Sequence, residues 1–278
     1  MPENPQLVSY NVDGPVAVIR LERPDKLNAV TFTMINDIRT QVERASADDQ
    51  VVGIVITGTG RGFSAGLDME DLTKSTSGMA PATTTERAPD PDELPALFGF
   101  LPRIPKPVIG AINGVCAGGG FVLAMMCDVR FAAERSARFT TAFGKRGLVA
   151  EHGTSWLLPR LVGTSRALDL LWSSRTIDAA EAYRIGFVDR LVDDNELLNA
   201  ATAYIRDMAA AVAPRSIALM KAQVYRGWSQ PIDVALSQVQ DEVNASLVHP
   251  DSTEGVVSFL EKRSPRFAPI DNRPGRIV

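Results

Sequence analysis

The sequence has few of the residues that metal centres, disulfide frameworks and membrane spans require. Its 278 residues include two histidines and two cysteines, without metal-ligand spacing. No stretch reaches the roughly 18 apolar residues of a transmembrane helix, and Met1–Tyr10 lacks the apolar run of a signal peptide. Two thiols in an apolar stretch, Cys116 and Cys127, are typical of reduced core residues. We therefore expect a soluble cytoplasmic protein with no metal.

The sequence also lacks an excess of charge of either sign. It has 29 basic and 33 acidic residues, for a formal net charge of -4. A surface so nearly balanced offers no strong electrostatic attraction to nucleic acid or to an anionic membrane, and we expect neither as a partner. With 45% hydrophobic residues, the chain can bury one large core.

Apolar runs of strand length dominate the first part of the chain, and helical patterns dominate the second. Strands are predicted at 16–21, 51–57, 107–112 and 129–132. Thr31 can cap a helix that runs to about residue 45. Later helices are predicted over 164–172, 178–185, 195–211, 214–227, 231–247 and 251–261. This order indicates an α/β core over residues 1–200 and a C-terminal helical region over 201–278. Residues 73–95, rich in Ser, Thr, Pro, Ala and Asp, predict a mobile loop near the site.

Two glycine-rich turns follow predicted strands and are candidates for a binding site. The first is GFSAGLD at 62–68, and the second is AGGG at 117–120, which opens a helix. If the turns lie side by side, one backbone N–H from each can converge on a single oxygen and form an oxyanion hole. The alternative is that these glycines only permit tight turns and close packing, and either turn alone leaves that alternative open.

The first turn also matches a short catalytic motif. Gly62-x-Ser64-x-Gly66 has the pattern of the nucleophile elbow in α/β-hydrolases, and an aspartate and a histidine follow it in the chain. A serine hydrolase that uses Ser64 is therefore one hypothesis. Against it, no glycine-rich oxyanion segment precedes the motif, and the acidic run at 68–71 is an unusual start for the helix after an elbow.

A series of motifs in family order resembles the crotonase (enoyl-CoA hydratase/isomerase) superfamily and covers nearly the whole chain. The motifs are RPDKLNA at 23–29, FSAGLD at 63–68, PKPV at 105–108, NGxxxGGG at 113–120, MCD at 126–128, LPRLVG at 158–163, AAEAxxxGxV at 179–188, and EG at 254–255 with FLEKR at 259–263. The resemblance implies the crotonase (ClpP-like) spiral of repeated ββα units. It also implies C-terminal helices used for trimerisation, and a homotrimer or dimer of trimers. The implied substrate is an acyl-CoA thioester, with coenzyme A as part of the substrate and no tightly bound cofactor.

The resemblance also implies roles for particular residues. The amides of Leu67 and Gly119 match those that hold the thioester oxygen, and Gly118 belongs to the same turn as Gly119. Positions that line the coenzyme A groove, mostly through backbone atoms, match Lys26, Ala29, Ala65, Asp68 and Met69. Asp68 can instead cap the next helix. Lys262 can approach the coenzyme A phosphates across a subunit boundary, although basic residues on a final helix are more often only solvated.

The catalytic carboxylates of the family decide the reaction, and here the sequence departs from the hydratases. Hydratases carry one glutamate just after the glycine triplet and another about twenty residues later, at the positions of Val122 and Phe143. Two apolar residues cannot activate a water, which needs a paired acid and base. The two-glutamate hydration mechanism is therefore not expected.

One carboxylate remains at a matching position. The run at 137–153 resembles the phenylacetate-pathway epoxyenoyl-CoA isomerases and the peroxisomal-type Δ3,Δ2-enoyl-CoA isomerases, which place their single catalytic carboxylate where Glu151 stands. This predicts double-bond isomerisation of an enoyl-CoA, in fatty-acid or aromatic-acid degradation. The apolar neighbours Leu148, Val149 and Trp156 should desolvate Glu151 and raise its pKa.

Alternatives remain for the roles of Glu151 and the adjacent His152, and for the function of the whole protein. Glu151 can instead cap a helix or lie on the surface. His152 can bind substrate or pack the turn, and packing is favoured. The loss of both hydratase carboxylates also fits an acyl-CoA-binding homologue with little catalysis.

Overall fold

The computed structural model describes residues 6–76 and 93–270. The strands in these ranges are β1 (Val8–Asp13), β2 (Val16–Leu21), β3 (Gly53–Gly58), β4 (Gly62–Ser64), β5 (Val108–Ile112), β6 (Val115–Ala117), β7 (Val129–Ala133), β8 (Arg138–Thr140), β9 (Ile177–Asp178) and β10 (Arg190–Val192). The helices are α1 (Phe32–Ala47), α2 (Met69–Thr76), α3 (Gly119–Met126), α4 (Thr154–Val162), α5 (Thr164–Ser173), α6 (Ala179–Arg184), α7 (Leu197–Ala211), α8 (Pro214–Gly227), α9 (Ile232–Leu247) and α10 (Pro250–Leu260).

The strands form two sheets that are built from a repeated unit. One sheet has the order β1-β2-β3-β5-β7-β10, and the other has the order β4-β6-β8-β9. In each of the pairs β3–β4, β5–β6 and β7–β8, the first strand enters the larger sheet and the second enters the smaller one. A helix follows each pair. The predicted α/β spiral of ββα units is thus confirmed.

The inner strands β3 and β5 of the larger sheet are buried on both faces. Every residue of β3 is buried, as a continuous apolar strand inside an α/β protein should be. Helix α1 contacts β1, β2 and β3, and α7 contacts β2, β3, β5 and β7. Thr31 caps α1 as predicted, because its side chain accepts a hydrogen bond from the amide of Met34 at 3.2 Å.

The predicted elements are present, with ends that differ by one or two residues. The expected division at residue 200 falls inside α7, and a β-carbon on Gly53 would lie 2.9 Å from the Ile205 side chain. Helix α7 thus packs closely on the larger sheet. Of the predicted loop at 73–95, residues 73–76 end α2, and 77–92 lie outside the described residues.

Helices α8 to α10 follow this core. Lys221 and Tyr225 of α8 both bind the carboxylate of Asp128, at 2.7 Å and 2.8 Å, and so tie α8 to the start of β7. The last three helices leave many large apolar side chains exposed, including Val224, Leu236, Leu247, Val256 and Phe259.

Cys116 and Cys127 are both buried and unpaired, as the sequence predicted. Within the two described ranges, no helix has the length and apolar character needed to cross a membrane.

Candidate active site

Parallel strand pairing brings the two glycine turns together. Strand β4 pairs with β6 in parallel, so the turns that follow them leave the same edge of the smaller sheet. A β-carbon on Gly66 would lie 3.2 Å from the backbone nitrogen of Gly119, and one on Gly119 would lie 3.3 Å from that of Leu67. The two turns are therefore in van der Waals contact.

The amides of Leu67 and Gly119 are both free to bind a ligand. On either side of Leu67, the carbonyl of Gly66 accepts from Val30 and the amide of Asp68 donates to Val30, each at 2.8 Å. Within the part of the chain that the structure describes, neither the Leu67 nor the Gly119 amide has an acceptor. Both residues line one cavity of about 370 Å³. Two unpaired backbone donors in one cavity are suited to a single oxygen.

The segment before α1 is fixed against the first turn by Asn28. This residue is buried, and its side-chain amide donates to the carbonyls of Gly62 at 2.7 Å and Thr59 at 2.9 Å. Its side-chain oxygen accepts from the amide of Arg23 at 2.8 Å. These bonds hold Lys26 and Ala29 at the wall of the cavity.

Asp68 lines the cavity, but its polar groups already have partners. Its amide donates to Val30, which leaves that hydrogen unavailable to a ligand. Its carboxylate accepts from Arg23 at 3.0 Å and from the amide of Glu70 at the start of α2. Burial is the largest single effect on the pKa of Asp68 and raises it, but the bonds from Glu70 and Arg23 and the nearby positive charges together outweigh burial, so the pKa is lowered. The side chain thus caps α2, which was the alternative considered from the sequence.

Glu151 lies in the turn that precedes α4 and lines the same cavity. Its carbonyl accepts from the amide and the hydroxyl of the buried Thr154, at 2.9 Å and 2.6 Å, which fixes the backbone. The N-cap of α4 is Gly153, with no side-chain bond, so the Glu151 carboxylate does not cap this helix. Burial raises the pKa of Glu151, although its side chain keeps 36% exposure.

His152 lies beside Glu151 in an unusual backbone conformation. Its φ of 51° is left-handed, a region that a residue with a side chain adopts at some energetic cost. Its Nε2 atom lies 4.0 Å from Oε2 of Glu151. Burial lowers the pKa of the imidazole, so the neutral form is favoured near pH 7.

The apolar surroundings of Glu151 differ in part from those expected. Leu148 lines the cavity, together with Phe143 and Leu97. Val149, in contrast, is 78% exposed, and Trp156 lines a different cavity beside α8. Of the three apolar neighbours expected to desolvate Glu151, Leu148 lines the same cavity, and the direction of the pKa shift is as expected.

Most of the residues singled out from the sequence line this one cavity. They are Lys26, Ala29, Ala65, Leu67, Asp68, Met69, Gly118, Gly119, Glu151 and His152. Lys262 follows α10 and does not line it, and a single chain does not test an approach across a subunit boundary. Sequence reasoning gave no role to Glu70, Leu72, Leu97, Ala142 and Arg146, which also line the cavity.

Ser64 has no access to the cavity. It is fully buried, and its hydroxyl accepts from the amide of Gly66 at 3.3 Å. A nucleophile elbow exposes its serine to substrate, so the geometry opposes the serine-hydrolase hypothesis. No cluster of potential metal ligands occurs in residues 6–76 and 93–270.

The ββα spiral defines the class of protein as an α/β fold of the crotonase type. A family model for enoyl-CoA hydratase/isomerase matches residues 11–269, and the chain belongs to this family of enzymes. It is 34% identical to the 1,2-epoxyphenylacetyl-CoA isomerase of Escherichia coli strain K12, over 94% of this chain and 98% of that protein. It is 36% identical to a probable enoyl-CoA hydratase of Mycobacterium leprae, over 92% and 96% of the two chains. The crystal structure of an enoyl-CoA hydratase from Bacillus anthracis matches with a TM-score of 0.83 and 25% identity, over 95% and 99% of the chains.

Proposed function

We propose that this enzyme isomerises the double bond of an enoyl-CoA, with Glu151 as the base and the amides of Leu67 and Gly119 binding the thioester oxygen. The observation that carries the proposal is the carboxylate of Glu151 in the same cavity as two unpaired amides. The other carboxylates of this cavity are less suitable bases, because Asp68 is paired with Arg23 and Glu70 is exposed.

A single base suffices for an allylic shift. Glu151 removes a proton from C2 of a 3-enoyl-CoA, and the electron pair moves onto the thioester oxygen to give a dienolate. The two amides stabilise that oxyanion, and such a donor contributes roughly 3 kcal/mol to transition-state stabilisation. The protonated Glu151 then returns the proton at C4, and the raised pKa makes its carboxylate a stronger base for the first step.

The residues at the hydratase positions support isomerisation over hydration. Val122 is fully buried and apolar, and Phe143 contributes an aromatic wall to the cavity. Neither side chain can donate or accept a proton, so the paired acid and base that water addition requires are absent at these positions. The similarity to a 1,2-epoxyphenylacetyl-CoA isomerase supports a role in aromatic-acid degradation, and fatty-acid degradation is the other setting that we propose. Coenzyme A takes part only as a portion of the substrate.

The test is turnover of a 3-enoyl-CoA, followed by the ultraviolet absorbance of the conjugated 2-enoyl thioester. Wild-type turnover should fall by about 10² or more in Glu151→Gln. Glu70→Gln is the matched control, because it makes the same change at an exposed carboxylate of the same cavity, and it should keep most of the activity. Rapid conversion of a 2-enoyl-CoA to its 3-hydroxy product by the wild type would contradict the proposal.

A second candidate is an acyl-CoA-binding protein with little catalysis. The apolar residues at both hydratase positions, Val122 and Phe143, favour it. It predicts that calorimetry detects acyl-CoA binding by the wild type and by Glu151→Gln alike, while neither protein turns over any enoyl isomer.

We also propose that the protein assembles as a homotrimer or a dimer of trimers through its last three helices. The exposed apolar side chains of α8 to α10 support this, because burying such a surface stabilises an interface. Sedimentation velocity should give a mass of three or six chains, and a monomer at micromolar concentration would contradict the proposal. In the trimer, Lys262 is the candidate contact to the coenzyme A phosphates of a neighbouring subunit.

A further inference from the structure

The two unpaired amides of the cavity are held in place by different amounts of structure. The carbonyl of Gly118 accepts from the amide of Val122 at 3.0 Å, as the first bond of the buried, eight-residue helix α3. A carbonyl and the N–H that follows it share one trans peptide plane and point in opposite directions. The Gly119 N–H therefore points away from α3, and a whole helix fixes its direction.

The Leu67 amide is oriented by one isolated bridge. The Gly66 carbonyl accepts from the amide of Val30 at 2.8 Å, so the same peptide geometry directs the Leu67 N–H away from Val30. The Asp68 amide donates to the Val30 carbonyl, also at 2.8 Å, and completes the bridge. Two hydrogen bonds without flanking pairs resist movement less than a helix does, so the direction of this amide depends on further support.

Arg23 supplies that support, because its guanidinium binds both sides of the bridge. Its Nη1 atom donates to the carbonyl of Ala29, the residue before Val30, at 2.5 Å. Its Nη2 atom donates to Oδ2 of Asp68, the residue after Leu67, at 3.0 Å. Since the guanidinium is planar and rigid, its two nitrogens hold the two acceptors at a fixed spacing.

The surroundings of this contact favour a lasting connection. The side chains of Arg23 and Asp68 are 18% and 15% exposed, so water competes for their bond less than it does on an open surface. The Asp68 carboxylate also accepts from the amide of Glu70 at 3.0 Å, which joins the contact to the start of α2. Arg23 is not among the described residues that line the cavity, so it acts on a bound ligand through the segments that it holds and not by contact.

We propose that Arg23 is a positioning residue for the oxyanion hole, which ties Ala29 to Asp68 and thereby keeps the Leu67 amide directed at the thioester oxygen. This rests on the proposed function, in which the amides of Leu67 and Gly119 bind that oxygen. A donor stabilises the developing oxyanion best when it is already aligned with it. Loss of the alignment should therefore lower kcat more than it raises KM.

The test is the carbonyl stretch of bound butyryl-CoA labelled with carbon-13 at the thioester carbon, measured by infrared difference spectroscopy. Hydrogen bonds to the thioester oxygen weaken its C=O bond, so the band in the wild type should lie at a lower frequency than in free butyryl-CoA. Arg23→Met should move the band back towards the position of the free ligand. At saturating ligand this position reports the hydrogen bonds and not the affinity. The kcat for a 3-enoyl-CoA should fall roughly tenfold.

Asp68→Asn removes the same ion pair from the other side, and it serves alone if Arg23→Met does not fold. Its side-chain oxygen can still accept from the Glu70 amide and cap α2. It should move the band in the same direction as Arg23→Met. The double variant should move the band no further than the larger single effect, because both substitutions remove one interaction.

Arg175→Met is the matched control. Arg175 also joins two acceptors, the carboxylates of Asp169 and Glu181, and it is not among the described residues that line this cavity. Its replacement removes an arginine that connects two parts of the chain elsewhere in the fold. It should lower stability without moving the band or changing kcat.

The outcomes separate this proposal from the proposed function. A band at the wild-type position in Arg23→Met and in Asp68→Asn, with only a lower Tm, would overturn the proposal, because Arg23 would then only stabilise the fold. A wild-type band at the position of free butyryl-CoA would also overturn it, because the amides would not bind the oxygen. The band is measured without turnover, so a displaced band that depends on Arg23 supports the proposal even if no 3-enoyl-CoA is isomerised.

Discussion

Gly66 lies so close to Ala117 that a β-carbon on it would be 2.9 Å from the Ala117 carbonyl oxygen. Its φ of 102° also falls where only glycine is unstrained. We predict that Gly66→Ala separates the two turns and weakens acyl-CoA binding by roughly five- to tenfold, because a hydrogen bond to the neutral thioester carbonyl contributes about 1 kcal/mol. Calorimetry with a saturated acyl-CoA measures this loss.

Gly14→Ala is the control for that substitution. Gly14 also has a positive φ, of 58°, but a β-carbon there would meet nothing within 4 Å. It should lower stability through backbone strain and leave acyl-CoA affinity unchanged. If both variants bind acyl-CoA as the wild type does, contact between the turns does not matter for the ligand.

The pH dependence of isomerisation should report the environment of Glu151. Burial raises the pKa of Glu151 above 4.5, and a base must be ionised to accept a proton. We predict that kcat/KM rises with pH through this raised pKa and then levels. Glu70→Gln should keep this acidic limb, and Glu151→Gln should lose it. A limb centred at or below pH 4.5 would contradict the assignment of Glu151.

The same shift predicts an effect on stability that needs no turnover. A carboxyl whose pKa is higher in the folded state binds its proton more tightly when folded. Its contribution is therefore favourable below the unfolded pKa and is lost as pH rises through the folded pKa. We predict that Glu151→Gln, which stays neutral, raises Tm relative to wild type at pH 7, and that the difference shrinks as the pH falls towards 4. A difference that is constant with pH would show that Glu151 is not desolvated.

How far the sequence predicts this structure depends on the length of each element. Four strands of the larger sheet, β2, β3, β5 and β7, were predicted because their apolar runs are long enough to show a pattern. The edge strands β1 and β10 were not predicted, because both carry exposed polar or charged residues. The smaller sheet was not, because β4, β6 and β8 have three residues each and β9 has two, which is too short for any periodicity. These short strands nevertheless align the two glycine turns.

The residues of the candidate site were likewise predicted only in part. Residues with a recognisable motif, such as Leu67, Gly119 and Glu151, were named from the sequence and line one cavity. Leu97 lines it too, but it is distant in sequence and only the folded chain brings it near. The exposure of Val149 was likewise missed, because the sequence does not tell which face of the turn before α4 is buried.

Ser64→Ala should leave isomerase activity nearly unchanged. The Ser64 hydroxyl is buried and only accepts from Gly66 within its own turn, so its loss removes one local bond. We expect a decrease in stability of about 1 kcal/mol, measured by urea unfolding. A fluorophosphonate probe should not label the wild type. Labelling that disappears in Ser64→Ala would revive the serine-hydrolase hypothesis.

A mostly buried ion pair attaches α8 to the core. The Lys221 ammonium binds the Asp128 carboxylate, and both side chains are mostly buried. Replacing one partner of such a pair leaves an uncompensated charge, so Lys221→Met should lower the free energy of unfolding by about 3 kcal/mol or more. Arg206→Met breaks the exposed pair with Asp13 and should change stability by less than about 1 kcal/mol. Equal effects of the two substitutions in urea unfolding would mean that the bond from Lys221 does not hold α8 in place.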